Sequence, residues 1–258
     1  ADRALIRRSA RSVRYLLVTI DAPTAPTRMK RPTVNLSFVI DRSGSMGGGK
    51  LTRACEAVMH ALGRLNPDDR FNVVAYDHEV TVVTAPAQAG AAARISREGI
   101  LALQPRGATN LSDGWLKGCE LIASELDEES IARCLLLTDG LANRGIVDQN
   151  ELADHASALR QRGITTSTFG VGADFDEHLL GTMADRGGGT FHFLSDAEAI
   201  PRAIDQELGE ALEVVARDAA LVVDAPGVEV SSLNAFPTRV EHGCTRIELG
   251  ELISGQVL

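Results

Sequence analysis

Basic residues are in short supply. Lys and Arg number 26 against 35 Asp and Glu, a formal net charge of −9. Such a surface repels phosphate backbones at long range, so no nucleic-acid partner is expected. Cysteine is also sparse. Cys55, Cys119, Cys134 and Cys244 form no C-x-x-C pair and fit no zinc spacing. They read as reduced, mostly buried thiols, although spacing alone does not exclude one disulfide. No apolar run reaches the roughly 18–20 residues a membrane-spanning helix needs. The stretch Tyr15 to Ile20 follows Arg7, Arg8, Arg11 and Arg14, but it is too short for a signal-peptide core and has no small-residue cleavage site behind it. A cytoplasmic location is the expectation from these absences. The first residue is not Met, and the last follows a strand-like run, so the chain is expected to be a portion of a longer protein.

What is present is ordinary globular composition, 44% hydrophobic and 24% charged, which argues against disorder. Residues 12–20 read as a strand. Residues 21–33 hold three of the nine prolines and read as a linker. A regular alternation then begins. Val34 to Ile40 and Ile131 to Thr138 are nearly continuous apolar runs, the pattern of strands buried on both faces. Residues 71–76 and 79–84 predict a hairpin turning at Asp77-His78. Further strands are expected at 164–169 and 190–194, the latter after a Gly187–Gly189 turn. Helical spacing marks 50–65, 91–103, 111–126, 148–161, 176–186 and 196–215, the last capped by Ser195 or Asp196.

Strands alternating with helices imply an α/β domain over 34–213, with a parallel-dominated sheet and helices on both faces. After it the helices stop. Strands are expected at 218–224, 227–232 and 245–252. Without crossovers these cannot extend a parallel sheet. Residues 214–258 are therefore expected to form a small all-β unit. The lone strand within residues 1–33 is expected to join it.

Three segments sit where a strand ends or a helix begins, at the edge where open parallel sheets bind ligands. They are Asp41-Arg42-Ser43-Gly44-Ser45, Gly107-Ala108-Thr109-Asn110 and Thr138-Asp139-Gly140. Their donors are carboxylates and hydroxyls. That set suits a hard ion such as Mg²⁺, Mn²⁺ or Ca²⁺ and argues against zinc. Two carboxylates offset one divalent charge, so the ion stays electrophilic and can accept a further acid.

Asp-x-Ser-x-Ser, a Thr after Gly, and Asp-Gly after an apolar strand together resemble the metal-ion-dependent adhesion site of von Willebrand factor type A domains. The resemblance spans roughly residues 34–213. It implies a doubly wound, mainly parallel Rossmann-like sheet. It also implies metal coordination by Ser43, Ser45 and Thr109, with Asp41 and Asp139 bound directly or through water. The activity implied is non-enzymatic: protein recognition in which a partner's Asp or Glu completes the metal shell, with the last helix able to shift. The flanking strands resemble those of bacterial relatives of calcium-activated chloride channel and inter-alpha-trypsin inhibitor heavy-chain proteins. Bacterial domains of this kind work beside AAA+ ATPases or within surface proteins.

Blander and rival readings compete residue by residue. Thr109 alone could cap the helix at 111, and Asp139-Gly140 alone could be a turn. Gly44 to Lys50 nearly makes a phosphate-binding loop, but Leu51 stands where such a loop needs Ser or Thr. Ser45, Asp139 and His192 follow the order of a hydrolase triad, but the Gly-x-Ser-x-Gly elbow is broken at Ser43 and His192 lies inside a strand. Trp115 reads as core, Asp174 and Asp176 as helix-capping residues, and the other histidines as surface positions.

Overall fold

The computed structural model of the chain describes residues 12–24, 31–127, 129–234 and 236–258. The readings of Arg7, Arg8, Arg11 and of residues 25–30 in the linker lie outside the described residues. The described chain divides into two compact units. One comprises residues 31–212 with 233–234; the other comprises residues 12–24, 213–232 and 236–258.

The larger unit runs β1 (Val34–Asp41), a short 3-10 turn at Gly44–Met46, α1 (Lys50–Leu62), β2 (Arg70–Tyr76), β3 (Val80–Gln88), α2 (Ala89–Leu101), α3 (Leu111–Ala123), β4 (Ile131–Thr138), α4 (Gln149–Gln161), β5 (Ile164–Val171), α5 (Glu177–Gly187), β6 (Gly188–Leu194) and α6 (Ile200–Leu212). The six strands lie in the order β3-β2-β1-β4-β5-β6. All neighbours are parallel except β2 and β3, which form the antiparallel hairpin expected at Asp77-His78. This is a doubly wound, mainly parallel α/β fold.

Every residue of β1, β4 and β5 is buried. Both faces of each strand are covered, which suits the nearly continuous apolar runs of β1 and β4, whereas β5 buries Thr165, Thr166, Ser167 and Thr168. Val39, Val74, Tyr76, Cys134 and Leu136 form one face with Trp115 and Ile122 of α3, Leu152 of α4 and Met183 of α5. The Trp115 indole N–H donates to Thr166 Oγ1 at 3.2 Å, so the ring is core, as expected. The helix α3 approaches the sheet closely because Gly114 and Gly118 share its inner face. A Cβ on Gly114 would lie 2.5 Å from the Tyr76 ring, and one on Gly118 would lie 2.4 Å from Val39 Cγ2. On the opposite face α1 and α6 pack on each other, above the alternate residues Leu36, Phe38 and Ile40.

Capping follows the side-chain chemistry. Asn110, Asp148 and Asp176 accept from backbone N–H groups at the starts of α3, α4 and α5. Asp196 caps the short 3-10 turn Ala197–Ala199 that leads into α6. The last helix therefore starts later, and ends earlier, than the 196–215 spacing suggests. Gly188 and Gly189 belong to β6 and not to a turn. A Cβ on Gly189 would sit 2.3 Å from the Thr166 carbonyl oxygen.

The smaller unit holds β7 (Val214–Val223), β8 (Thr238–Glu241) and β9 (Cys244–Ile253), antiparallel in the order β7-β9-β8. His242 and Gly243 turn the β8–β9 hairpin, both at positive φ (50° and 84°), as a tight two-residue hairpin loop requires. Two expectations fail here. Residues 227–232 are not a strand: Val228 N donates to the Ala225 carbonyl across a Pro-Gly turn, and the apolar Val228 is exposed. Residues 12–20 form no ladder, and Leu16 and Leu17 are exposed. Among the described residues, pairing begins only at Ile20: Ile20, Asp21 and Ala22 lie opposite Leu258, Val257 and Gln256 of the same unit, and the Pro23 carbonyl accepts from Gly255 N. The four cysteines are free; Cys55, Cys119 and Cys134 are buried. Among the described residues no helix is long and apolar enough to cross a membrane.

Candidate metal centre

The strands β1 and β4 are neighbours at the middle of the sheet. From β1 the chain proceeds outward to β2; from β4 it proceeds the other way to β5. The crevice between their carboxyl ends is the topological switch point, where backbone ends diverge and leave room for a ligand. Ile40 pairs with Leu137 in register. Asp41 therefore ends β1 beside Thr138, which ends β4, and Asp139 follows.

Hydrogen bonds join four of the five expected residues. Thr138 Oγ1 donates to Asp41 Oδ2 at 2.6 Å, and the Ser43 N–H donates to Asp41 Oδ1 at 2.7 Å. The Ser43 and Ser45 hydroxyls are 3.0 Å apart, and Ser45 Oγ donates to Asp139 Oδ1 at 2.6 Å. Thr109 comes in from its own loop. A Cβ built on Gly140 would lie 3.4 Å from Thr109 Oγ1 and 3.6 Å from Ser45 Oγ, so both hydroxyls flank one point. Thr109 is not the helix cap; Asn110 is. All five residues thus converge on one edge of the sheet.

The electrostatics are unbalanced. Asp41 and Asp139 are both fully buried. Burial pushes the Asp41 carboxyl up from 3.8 to about 6. Hydrogen bonds from Thr138 and Ser43 oppose that rise, and the Asp139 charge adds to it. Among the described residues, no Lys, Arg or His forms an ion pair with Asp41. Tyr76 lies in the same field, and its phenol is raised well above its ordinary value, by burial first and then by the Asp41 charge. Asp41, faced by hydroxyl and backbone N–H donors, lacks a positive charge beside it, and the carboxylate and hydroxyl oxygens gathered here suit a hard divalent cation. The residues present therefore fit such an ion.

Several supporting residues escape a sequence reading. Asn143 holds the Thr109 loop: its Oδ1 accepts from Thr109 N–H at 3.1 Å, while its own N–H donates to the Thr109 carbonyl at 3.3 Å. Asp77 clamps two site loops together, with Arg42 Nε at 2.9 Å and Arg106 Nε at 2.7 Å from its Oδ2. Backbone bonds from Arg106 N to the Arg42 carbonyl (2.7 Å) and from Gly44 N to the Gly107 carbonyl (3.2 Å) complete the seam. Asp77, His78 and Glu79 bring three ligand-type atoms within 4.8 Å of one another. However, the two guanidiniums already balance Asp77, so this group acts as the clamp. Lys50 donates to Asp139 Oδ2 at 2.6 Å.

The rival readings lose their geometry. His192 Nε2 sits 2.7 Å from Glu207 Oε2 and its ring stacks on Phe169 at 4.6 Å, so it partners Glu207 and not Asp139. The Lys50 ammonium, which a phosphate loop would point at a nucleotide, is engaged by Asp139.

The family model of the von Willebrand factor type A (VWA) domain matches residues 35–206, more than half of the chain. The chain belongs to the VWA family. Human inter-alpha-trypsin inhibitor heavy chain H4 is 32% identical over 198 residues, covering 72% of this chain and 21% of that protein. A von Willebrand factor type A structure from Catenulispora acidiphila superposes with a TM-score of 0.72 at 21% identity, covering 88% of this chain and 56% of that one. Proximal thread matrix protein 1 of the mussel byssus, solved with a zinc-occupied MIDAS (metal-ion-dependent adhesion site) motif, gives a TM-score of 0.59 at 16% identity, covering 80% and 52%. At these identities the structures establish the fold. The chain spans between 18% and 62% of the length of the curated relatives compared with it. VWA domains are in general metal-dependent protein-interaction modules.

Proposed function

We propose that this VWA domain holds one divalent cation through Asp41, Ser43, Ser45, Thr109 and Asp139, and that a partner protein completes the coordination with an Asp or Glu side chain. The observation that carries this reading is Asp41. A carboxylate buried at the switch point, without a basic partner among the described residues, is costly to keep ionised unless a cation arrives. A bound ion would supply Lewis acidity toward an incoming carboxylate. The protein's own residues orient the oxygens: Thr138 and the Ser43 N–H fix Asp41, Ser45 fixes Asp139, and Asn143 fixes Thr109.

Mg²⁺ is the first candidate, with Mn²⁺ and Ca²⁺ next, on the oxygen donors alone. The mussel byssus protein of similar fold was solved with a zinc-occupied MIDAS motif, so Zn²⁺ belongs in the comparison. The role is recognition, with no catalytic step assigned to Ser45. An AAA+ ATPase is one candidate partner to look for among captured proteins.

The test is capture of partner from a lysate in Mg²⁺ and in excess chelator, using wild type and Asp41→Ala, with the eluted proteins identified. Capture should require both the metal and Asp41. Equal capture in chelator, or by Asp41→Ala, would overturn the reading.

A further inference from the structure

We infer that Lys50 sets the charge of this site, so that a divalent cation is held tightly only when a carboxylate from a partner comes with it. This inference rests on the metal-site reading above and deepens it. Lys50 is the first residue of α1, reached through Gly47, Gly48 and Gly49. Its ammonium lies 2.6 Å from Asp139 Oδ2, while Ser45 Oγ holds Oδ1 of the same carboxylate. It is no freely waving surface lysine. Its partner is fully buried, its own side chain is 28% exposed, and Nζ lies 3.6 Å from where a Cβ on Gly172, just past β5, would sit.

The charge count follows. Asp41 and Asp139 contribute two negative charges and Lys50 one positive. A divalent cation would leave the site at net plus one, and a partner's carboxylate would bring it to neutral. Without Lys50, the metal alone would neutralise the site, and an arriving carboxylate would make it negative. Like charges held close together and partly shielded from water repel strongly. Lys50 therefore weakens the bare metal complex and favours the ternary complex with an acid. By linkage, the acid raises the metal's affinity by the same factor as the metal raises the acid's. The recognised chemistry is narrowed accordingly: Asp or Glu, and not the isosteric Asn or Gln.

The experiment is calorimetric titration of the whole chain with Mn²⁺ alone, with added acetate, and with added acetamide at matched ionic strength. Wild type, Lys50→Met, Lys50→Arg and Asp41→Ala are compared, each checked for folding by circular dichroism. Lys50→Met should bind Mn²⁺ alone about tenfold or more tightly than wild type, as expected when a neighbouring like charge is removed. Acetate should strengthen Mn²⁺ binding in wild type and Lys50→Arg but much less in Lys50→Met, and acetamide in none. If Lys50→Met is misfolded, Lys50→Gln carries the same expectation. Should wild type and Asp41→Ala behave as the metal site requires while the neutral Lys50 variant binds no more tightly, or acetate act on both alike, the Lys50 inference alone falls. Should wild type take up no Mn²⁺ even with acetate present, or Asp41→Ala take it up equally, the metal-site reading falls and this inference with it.

Discussion

Asp41 and Glu207 are both fully buried carboxylates in the same α/β unit, and their surroundings are opposite. Glu207, on α6, accepts from Arg133 at 2.7 Å and Ser167 at 2.5 Å, and its other oxygen lies 2.7 Å from His192. Burial would raise its pKa, but the His192 hydrogen bond and the Arg133 charge outweigh burial and hold it below the usual carboxylate value. Asp41 has only hydroxyl and backbone N–H donors, and burial wins. A buried acid whose cations lie within the fold is architecture: Glu207 pins α6 to β4, β5 and β6. A buried acid without them is, on the proposal above, a place for a cation from outside.

The comparison can be broken in several places. The largest expected effect is Glu207→Ala, which strips the buried Arg133 of this carboxylate and should cost about 3–5 kcal/mol in urea unfolding. A loss below about 1 kcal/mol would mean that the knot is not structural. Asp41→Asn should act the other way. In chelator at pH 7.5 the variant should be more stable than wild type, by about 1–3 kcal/mol, because a raised pKa is a penalty on the ionised form. Metal-induced stabilisation should disappear with it. If the chelated variant proves much less stable, the view of Asp41 as an uncompensated charge fails.

The pH dependences should run in opposite directions. For Asp41 the folded pKa, about 6, exceeds the unfolded 3.8, so the folded state binds more protons between them. Its contribution in chelator therefore falls as pH rises from about 4 to 6 and stays low above. The gap between Asp41→Asn and wild type should open over that window. For Glu207 the folded value lies below the unfolded 4.5, so its stabilisation is complete above 4.5 and is lost on acidification through the folded value. Unfolding series for each variant against wild type would show the two slopes. Smaller still is Gly140→Ala. Its methyl would sit in ordinary contact with Thr109 Oγ1 and Ser45 Oγ, at the point the two hydroxyls flank, weakening Mn²⁺ binding while shifting unfolding by about 1 kcal/mol or less. At the bottom of the scale, Val240→Ala on the exposed face of β8 should stay within about 0.5 kcal/mol.

Much was readable from local pattern. The buried strands β1 and β4 appear as nearly continuous apolar runs, and helices α3, α4 and α5 as periodic segments with polar residues at their starts. The three ligand-type segments follow from their places beside those elements. What escaped is short or non-local. β8 is four residues long and mostly exposed, so it carries no hydrophobic signal. The run 227–232 has strand-like residues but forms no ladder among the described residues.

Taken by itself, the sequence determined the periodicity of the elements, the oxygen chemistry of Asp41, Ser43, Ser45, Thr109 and Asp139, and the family. Each depends on residues near one another in the chain. Only the tertiary structure decided which charges are balanced. Lys50 meets Asp139 across 89 residues, and Thr138 meets Asp41 across 97. Those contacts exist only once β1 and β4 lie side by side. The reason is physical: a carboxylate's state depends on its burial and on the cations around it, and both are set by packing.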